Sequence, residues 1–166
     1  MKKSSSNKYK FCLYARKSSE SDERQAMSIE GQLSEMKDIV KREKINLIDT
    51  ITESHSAKET GQRPEFNRLL DSVHKGTFNA IITWAPDRLS RNAGDLGRIV
   101  DLMDQGKLTF IRTHSQTFSN NPNEKFLLMI LCSQAKLEND NRGINVKLGL
   151  KNKCSMGIRP GVAPIG

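Results

Sequence analysis

The hydrophobic pattern of this chain changes character between its first two thirds and its last third. In the first part, short apolar runs alternate with polar segments in which apolar residues recur every three or four positions. The runs predict four strands, at residues 9–14, 45–51, 78–84 and 108–112. Helices predicted between them run from a Ser28 cap to about Lys44, from Pro64 to Lys75, and from an Asp87 cap to Gly106. This order predicts an α/β fold with a mostly parallel sheet of about four or five strands between helices.

The last third predicts one long helix from Pro122 to about Cys154. Asn121 supplies a cap, Pro122 suits the first turn, and Glu124 stands at the third helical position. The run 126–131 is apolar nearly all round, which predicts packing against both the sheet and a second subunit. Its later part is polar and basic, as expected of a helix that leaves the globule and lies along DNA. The alternative is a long helix folded back on its own core. The residues singled out on this helix are Phe126, Met129, Ile130, Glu138, Arg142, Lys147 and Lys151.

These elements predict a simple domain organisation. Residues 1–8 form a loose basic tail, and residues 9–121 form the α/β core. Residues 122–154 form the long helix, and the Gly- and Pro-rich residues 155–166 read as a linker toward further domains. Polar segments 16–27, 54–62 and 114–120 are predicted loops.

Composition narrows the class of protein. With 166 residues and 36% hydrophobic content the chain can bury one core, and its net charge of +8 favours a polyanionic partner such as nucleic acid. No apolar run is long enough for a membrane span, and the lysine-rich start does not resemble a secretory signal. Three dispersed cysteines, with no C-x-x-C pair, argue for a reducing compartment. A cytoplasmic location is therefore expected.

The candidate chemistry lies after the first and third predicted strands. Arg16 and Ser18 follow the first strand, and Asp87, Arg88 and Arg91 follow the third. The carboxyl ends of parallel strands share one edge of the sheet, where such folds place their ligands. A hydroxyl among guanidinium groups suits attack on phosphorus, because arginine stays charged and donates two parallel hydrogen bonds to phosphoryl oxygens. No G-x-S-x-G elbow, P-loop or H-E-x-x-H motif is present, and no metal or other cofactor is expected.

Two further residues carry open alternatives. Arg63 precedes Pro64 at a helix entrance, where a cation opposes the helix dipole unless an anion lies beside it. It is either a phosphate contact or an ordinary exposed arginine. Asp87 is either a cap that orients neighbouring arginines or a proton donor to a leaving 3′ oxygen.

Four short motifs lie along the chain: Tyr14-Ala15-Arg16-Lys17-Ser18, Ser28-Ile29-Glu30-Gly31-Gln32, Arg63-Pro64-Glu65-Phe66 and Asp87-Arg88-Leu89-Ser90-Arg91. In their order and with similar intervals, they resemble the motifs of the serine recombinases, the family of resolvases and invertases. The resemblance extends from about Lys10 to Gly166, and the closing segment from Gly157 is similar to the start of the linker in the large branch of phage integrases and transposases. The further DNA-binding domains of that branch are not part of this sequence.

The resemblance implies a resolvase-like three-layer fold and a role for each matched residue. Ser18 would be the nucleophile that forms a 5′-phosphoserine link to double-stranded DNA and releases a 3′ hydroxyl. Asp87 would assist positioning or proton transfer, Gln32 would support the site, and Glu138 would lie near a dimer interface. The residues that would bind and activate the scissile phosphate are Arg16, Arg63, Arg88 and Arg91.

The resemblance also implies an assembly. Homodimers would pair into a tetramer, cut all strands, rotate one pair of subunits and reseal without ATP, since the covalent intermediate conserves the bond energy. Two other readings of the residues stay open. One is a DNA-binding or regulatory relative without strand exchange, and the other is a serine-dependent nuclease that does not rejoin. The natural event would be integration, excision or transposition.

Overall fold

The computed structural model describes residues 8–16, 28–53, 63–90 and 92–159, apart from the side chain of Asn139. These ranges contain five strands and five helices. Residues 1–7 of the predicted tail 1–8, most of the predicted loops 16–27 and 54–62, and the end of the predicted linker lie outside them. The elements are β1 (Phe11–Arg16), α1 (Ile29–Glu43), β2 (Leu47–Glu53), α2 (Pro64–His74), β3 (Ala80–Thr83), α3 (Pro86–Leu89), α4 (Ala93–Asp104), β4 (Phe110–Arg112), β5 (Thr117–Ser119) and α5 (Pro122–Ser155).

The strands form one sheet in the order β2-β1-β3-β4-β5. β1 pairs in parallel with β2 and β3, β3 pairs in parallel with β4, and β5 alone is antiparallel. The pairing of β1 with β2 shifts by one residue near its start, so that Phe11 lies opposite Leu47 but Cys12 lies opposite Asp49. Four parallel strands therefore end at the same edge of the sheet. This arrangement confirms the predicted mostly parallel α/β fold.

Helices cover both faces of the sheet and make three layers. On one face, Met36 and Ile39 of α1 pack against Leu13 and Ile82. The opposite face is covered mainly by α2 and α4, and the start of α5 adds Leu128 to this cluster. Alternate residues of β1 point to opposite clusters, which is why its whole length is buried. The buried apolar positions predicted for α2 are confirmed: Phe66, Leu69, Leu70 and Val73.

Two local predictions are wrong. Asp87 does not cap a helix that continues to Gly106, because the chain becomes extended again at Ser90 and a new helix starts after Asn92. The amide oxygen of Asn92 accepts a hydrogen bond from the Asp95 N–H, so that Asn92 is the cap of α4. The segment 114–120 is not wholly a loop, since it contains β5, whose Phe118 is buried against the core.

The capping predictions for α1 and α5 are confirmed. The hydroxyl of Ser28 accepts a hydrogen bond from the Gly31 N–H at 3.1 Å, and the side chain of Asn121 accepts from two backbone N–H groups in the first turn of α5. The Glu124 carboxylate accepts from the Ser119 N–H and thereby ties α5 to β5.

The long helix α5 packs on the globule only through its start. Leu128 and Cys132 are buried, whereas Phe126 is 64% exposed and Ile130 is 45% exposed. The run 126–131 thus places one face against the sheet domain, as predicted, and leaves the opposite face uncovered in a single chain. None of the helices that the structure describes is long and apolar enough to cross a membrane.

Candidate active site

Arg16 ends β1 at the carboxyl edge of the sheet. Its side chain is fully buried, and its Nη2 donates a hydrogen bond to the backbone carbonyl of Asp87 at 3.3 Å. The buried side chain of Gln32, from α1, donates through Nε2 to the backbone carbonyl of Arg16, also at 3.3 Å. The ends of two strands and the first turns of α1 are therefore joined around one arginine.

Asp87 and Arg88 lie on α3, a single helical turn after β3. Pro86 occupies its first position with fixed backbone geometry, and extended residues on both sides limit the turn to four residues. The Arg88 side chain is only 8% exposed, and its Nη1 lies 3.6 Å from the Asp87 carboxylate. Neither Nε nor Nη1 of Arg88 has a hydrogen-bond partner among the described residues. Buried N–H groups without acceptors are costly, so these donors suit an anionic ligand.

Arg63 immediately precedes α2 and is fully buried, unlike the ordinary exposed arginine considered above. Its Nη2 donates to the carboxylate of Asp95 at 2.7 Å, and its Nη1 donates to the Tyr14 hydroxyl at 3.3 Å. The guanidinium also lies over the Phe66 ring, 3.7 Å from the ring centre. The charge of Arg63 is thus neutralised within the protein.

A carboxylate of the protein itself, that of Glu53 at the end of β2, lies at the start of α2. This buried carboxylate accepts hydrogen bonds from the backbone N–H groups of Glu65 at 3.0 Å and Phe66 at 3.4 Å. A carboxylate at this position accepts hydrogen bonds from the free N–H groups of the first turn and interacts favourably with the positive end of the helix dipole. The sequence analysis missed Glu53, because it ended the second strand two residues earlier and placed Glu53 just beyond it.

Asp95 is a second site residue that the sequence analysis missed. It lies at the third position of α4, and its carboxylate accepts hydrogen bonds from both Arg63 and the Asn92 side-chain amide. The spacing Asn92-x-x-Asp95 resembles the pattern that starts a helix with reciprocal side-chain bonds, and it is the signal that could have found this residue.

The hydroxyl of Tyr14 lies near both Arg63 and Arg16. Burial raises the pKa of this hydroxyl well above the usual range, and the charges of Arg63, Glu53 and Arg16 all lie close enough to influence that pKa. Tyr14 and Arg16 are two residues apart on β1 and so share one face of the strand. Charged side chains of β1, of β2 and of the residue before α2 therefore lie near this phenol.

The structure brings together five of the predicted site residues along this edge: Arg16, Gln32, Arg63, Asp87 and Arg88. Ser18 and Arg91 lie outside the described residues. The predicted residues of α5 stand apart from the edge. Phe126, Met129 and Ile130 are exposed on its first half, and Glu138, whose carboxylate accepts from Gln134 at 3.3 Å, follows. Arg142, Lys147 and Lys151 are exposed on its far half.

Helix α5 packs against α3 beside the site. The Cys132 thiol lies 3.6 Å from the Pro86 carbonyl, and burial together with the nearby Asp87 charge raises the pKa of this thiol to about 12. Within the ranges that the structure describes, no group of three His, Cys, Asp or Glu side chains is arranged to hold a metal ion.

Comparisons with known proteins agree with this architecture. The N-terminal catalytic domain of TP901-1 integrase has the same fold, with 20% identity, a TM-score of 0.60, and coverage of 80% of this chain and 98% of that one. A resolvase family site-specific recombinase from Streptococcus pneumoniae gives 21% identity, a TM-score of 0.56, and coverage of 89% and 99%. No curated protein sequence matched this chain significantly.

A family match covers most of the chain and the whole site. The sequence profile described as "Resolvase, N terminal domain" matches residues 11–159, which include every candidate site residue named above. The predicted relationship to the resolvases and invertases is therefore confirmed, and the chain belongs to the Resolvase N-terminal domain family.

Proposed function

We propose that this chain is the catalytic domain of a DNA-cleaving and rejoining serine recombinase of the large branch. Membership of the Resolvase N-terminal domain family supports site-specific recombination as the general activity. The observation that carries the chemical proposal is the buried Arg88 next to Asp87, since Nε and Nη1 of Arg88 have no hydrogen-bond partner in the described structure. The Arg16 side chain donates to the Asp87 backbone carbonyl at the same edge. These three residues lie at the sheet edge from which the chain continues to Ser18.

In the proposed reaction the Ser18 hydroxyl oxygen attacks the phosphorus of a DNA phosphodiester. The bond from phosphorus to the 3′ oxygen breaks, the serine loses its proton, and the leaving 3′ oxygen gains one. The product is a phosphoserine link to the 5′ end and a free 3′ hydroxyl. Because a phosphodiester is replaced by a phosphodiester, the reverse attack by a 3′ hydroxyl reseals the strand without ATP.

The arginines stabilise the negative charge that develops on the nonbridging oxygens. Arg88 supplies unpaired donors, and Arg16 is held at the same edge by Asp87 and Gln32. Arg91 follows Arg88 by three residues and is assigned to the phosphate from the sequence motif alone. Asp87 lies 3.6 Å from Arg88 and orients it, or passes a proton to the leaving oxygen. Arg63 supports the site indirectly, because Asp95 and Tyr14 already accept hydrogen bonds from its two terminal nitrogens.

The long helix α5 is assigned to assembly and DNA binding. Its first half leaves Phe126, Met129 and Ile130 exposed, which suits contact with a second copy and, in a tetramer, the flat apolar surface that subunit rotation needs. Its second half carries Arg142, Lys147 and Lys151 on a solvent-exposed rod, which suits the phosphates of double-stranded DNA.

Trapping of the covalent intermediate tests the proposal. The protein is incubated with end-labelled duplexes that carry its recombination sites, the reaction is denatured, and protein joined to 5′ ends is measured. We expect the adduct with the native protein and with the control Ser19→Ala, and none with Ser18→Ala. An adduct formed by Ser18→Ala would show that another group is the nucleophile. Binding without any adduct would indicate a regulatory relative, and an adduct that never reseals would indicate a nuclease.

A further inference from the structure

We infer that Asp95 is a positioning residue for the proposed DNA cleavage and that it acts through Arg63. This inference rests on the proposed function, but it concerns a carboxylate on α4 that neither the sequence motifs nor the family match singles out. Its basis is a buried hydrogen-bond network that joins three separate elements below the catalytic edge.

Arg63 is held from three directions. Asp95 accepts from Nη2 at 2.7 Å, Tyr14 accepts from Nη1 at 3.3 Å, and the Phe66 ring covers one face of the guanidinium. Only Nε has no hydrogen-bond partner among the described residues. A planar group with both terminal nitrogens bound and one face covered has a single orientation, so the direction of the remaining N–H is fixed.

Asp95 is itself held rigidly. Its backbone N–H donates to Asn92 Oδ1 at 2.8 Å, and its Oδ2 accepts from Asn92 Nδ2 at 2.8 Å. Its other carboxylate oxygen, Oδ1, has no hydrogen bond in the described structure but lies 3.8 Å from the Arg98 guanidinium. The Ser90 hydroxyl in turn donates to the Asn92 carbonyl at 2.7 Å. The carboxylate is therefore anchored to the segment that follows directly from Asp87 and Arg88.

The network reaches the reacting end of β1 through Tyr14. Tyr14 precedes Arg16 by two residues and Ser18 by four. Arg63 binds the Tyr14 hydroxyl, and Asp95 binds Arg63, so the first turn of α4 is connected to the strand that delivers the nucleophile. Both side chains of the pair are buried, with 0% and 1% exposure. A buried ion pair is a poor source of net stability compared with apolar side chains, but it fixes geometry, and geometry is what an in-line attack requires.

The experiment measures single-turnover cleavage at saturating DNA for Asp95→Asn, with Asp101→Asn as the matched control on an exposed part of α4. The amide keeps the shape of the carboxylate and removes its charge. We expect the cleavage rate constant to fall about 10- to 100-fold, as for a small misplacement of reacting groups, with the DNA dissociation constant unchanged. The control should cleave at the native rate.

Two results would overturn the inference. The first is a native rate constant for folded Asp95→Asn. The second is a reduced amplitude with a native rate constant, because it would show that Asp95 only raises the folded fraction. Thermal unfolding of each variant, measured in parallel, gives that fraction.

A second variant tests the Arg63–Asp95 pair as a unit if Asp95→Asn does not fold. Arg63→Met combined with Asp95→Leu replaces the buried pair by apolar side chains of similar size and leaves no charge unpaired. We expect a folded protein that cleaves at least 10-fold more slowly, and cleavage at the native rate would reduce the pair to a packing role. Ser18→Ala is assayed alongside, because an adduct in that variant refutes the proposed function itself, whereas a normal Asp95 variant with a Ser18-dependent adduct refutes only the role of Asp95.

Discussion

The sheet domain and the long helix α5 differ in which of their side chains are buried and which are exposed. In the sheet domain even the charged residues Arg16, Glu53, Arg63 and Asp95 are buried and bonded to their own chain. On α5, apolar side chains such as Ile130 and Leu137 are 45% and 59% exposed. The sheet domain therefore holds a preorganised site, whereas the surface of α5 suits groups supplied from outside the chain. In the proposed function this difference assigns the chemistry to the sheet domain, and assembly and DNA affinity to α5.

A smaller contrast divides the two buried arginines of the sheet domain. Arg63 has its charge matched at 2.7 Å by Asp95, whereas two side-chain nitrogens of Arg88 lack hydrogen-bond partners in the described ranges. The first arginine is already occupied by the protein, and the second keeps donors for a ligand. We therefore expect Arg88 to dominate phosphate activation.

The largest expected effect is on the rate of covalent adduct formation at the site in the sheet domain. Arg88→Ala should lower the rate of covalent adduct formation by about 10³-fold, because a guanidinium that stabilises transferring phosphoryl groups contributes on that scale. Rapid-quench measurement of the adduct at saturating DNA tests this value. The matched control is Arg68→Ala, since Arg68 is exposed on α2. Normal cleavage of bound DNA by Arg88→Ala, with only weaker binding, would reduce Arg88 to a docking residue.

The next effect separates the two faces of α5. Leu128→Ala should reduce the free energy of unfolding by about 2–5 kcal/mol, because Leu128 is fully buried in the main core. Ile130→Ala, on the exposed face, should change it by about 0.5 kcal/mol or less in the monomer. Chemical denaturation at low protein concentration measures both.

The Ile130 variant also tests the assembly role. If the exposed face contacts a second copy, Ile130→Ala should weaken self-association in sedimentation experiments with DNA. Equal destabilisation by the two substitutions in a dilute monomer would instead show that α5 folds back on its own core.

A smaller effect concerns DNA affinity. The double substitution Lys147→Ala and Lys151→Ala should leave the cleavage rate constant of bound DNA unchanged. It should reduce the slope of log binding constant against log salt by about 2, since each phosphate contact contributes about 0.9. Titrations at several salt concentrations measure this slope, with Lys37→Ala on α1 as the control. An unchanged slope would remove this part of α5 from the DNA interface.

The smallest effect concerns the thiols. Burial raises the pKa of Cys12 and of Cys132 to about 12, whereas Cys154 is exposed on α5. At pH 8 a thiol reagent should therefore modify Cys154 alone in the native protein and all three cysteines after denaturation.

Because the pKa of the Cys12 and Cys132 thiols is higher in the folded state than the ordinary 9.0, their contribution to stability should decline as the pH rises from about 9 toward 12. Rapid native modification of Cys132 would show that α5 separates readily from α3.

Most of the architecture was predictable from the sequence, because strands, helices and their caps depend on local signals. Ser28, Pro64 and Asn121 start helices where the pattern predicted. Both β1 and β2 continue two residues beyond their predicted ends, to Arg16 and Glu53. A pattern based on hydrophobicity stops at a charge, whereas the fold buries these charges because partners from distant segments bind them.

The site was predictable only in part, for the same reason. The motifs placed Arg16, Gln32, Asp87 and Arg88 at one edge, and the structure brings them together. The partners of Arg63 were not predictable, since Asp95 lies 32 residues further along the chain and meets it only after α2 and α4 pack together. The break between α3 and α4 was missed because the apolar positions continue with helical spacing across Ser90 and Asn92.

The pairing shift at the start of β1 has an effect at the other end of the strand. If the first pair, Phe11 with Leu47, set the alignment throughout, Arg16 would stand opposite Thr52 rather than Glu53. Because β2 contains one extra residue at this point, Glu53 stands opposite Arg16 at the end of the strands. The Glu53 carboxylate also binds the first turn of α2. An irregularity between Phe11 and Cys12 thus decides which residue of β2 stands opposite Arg16 at the far end of the strand, and so brings together a strand end, a helix start and a guanidinium.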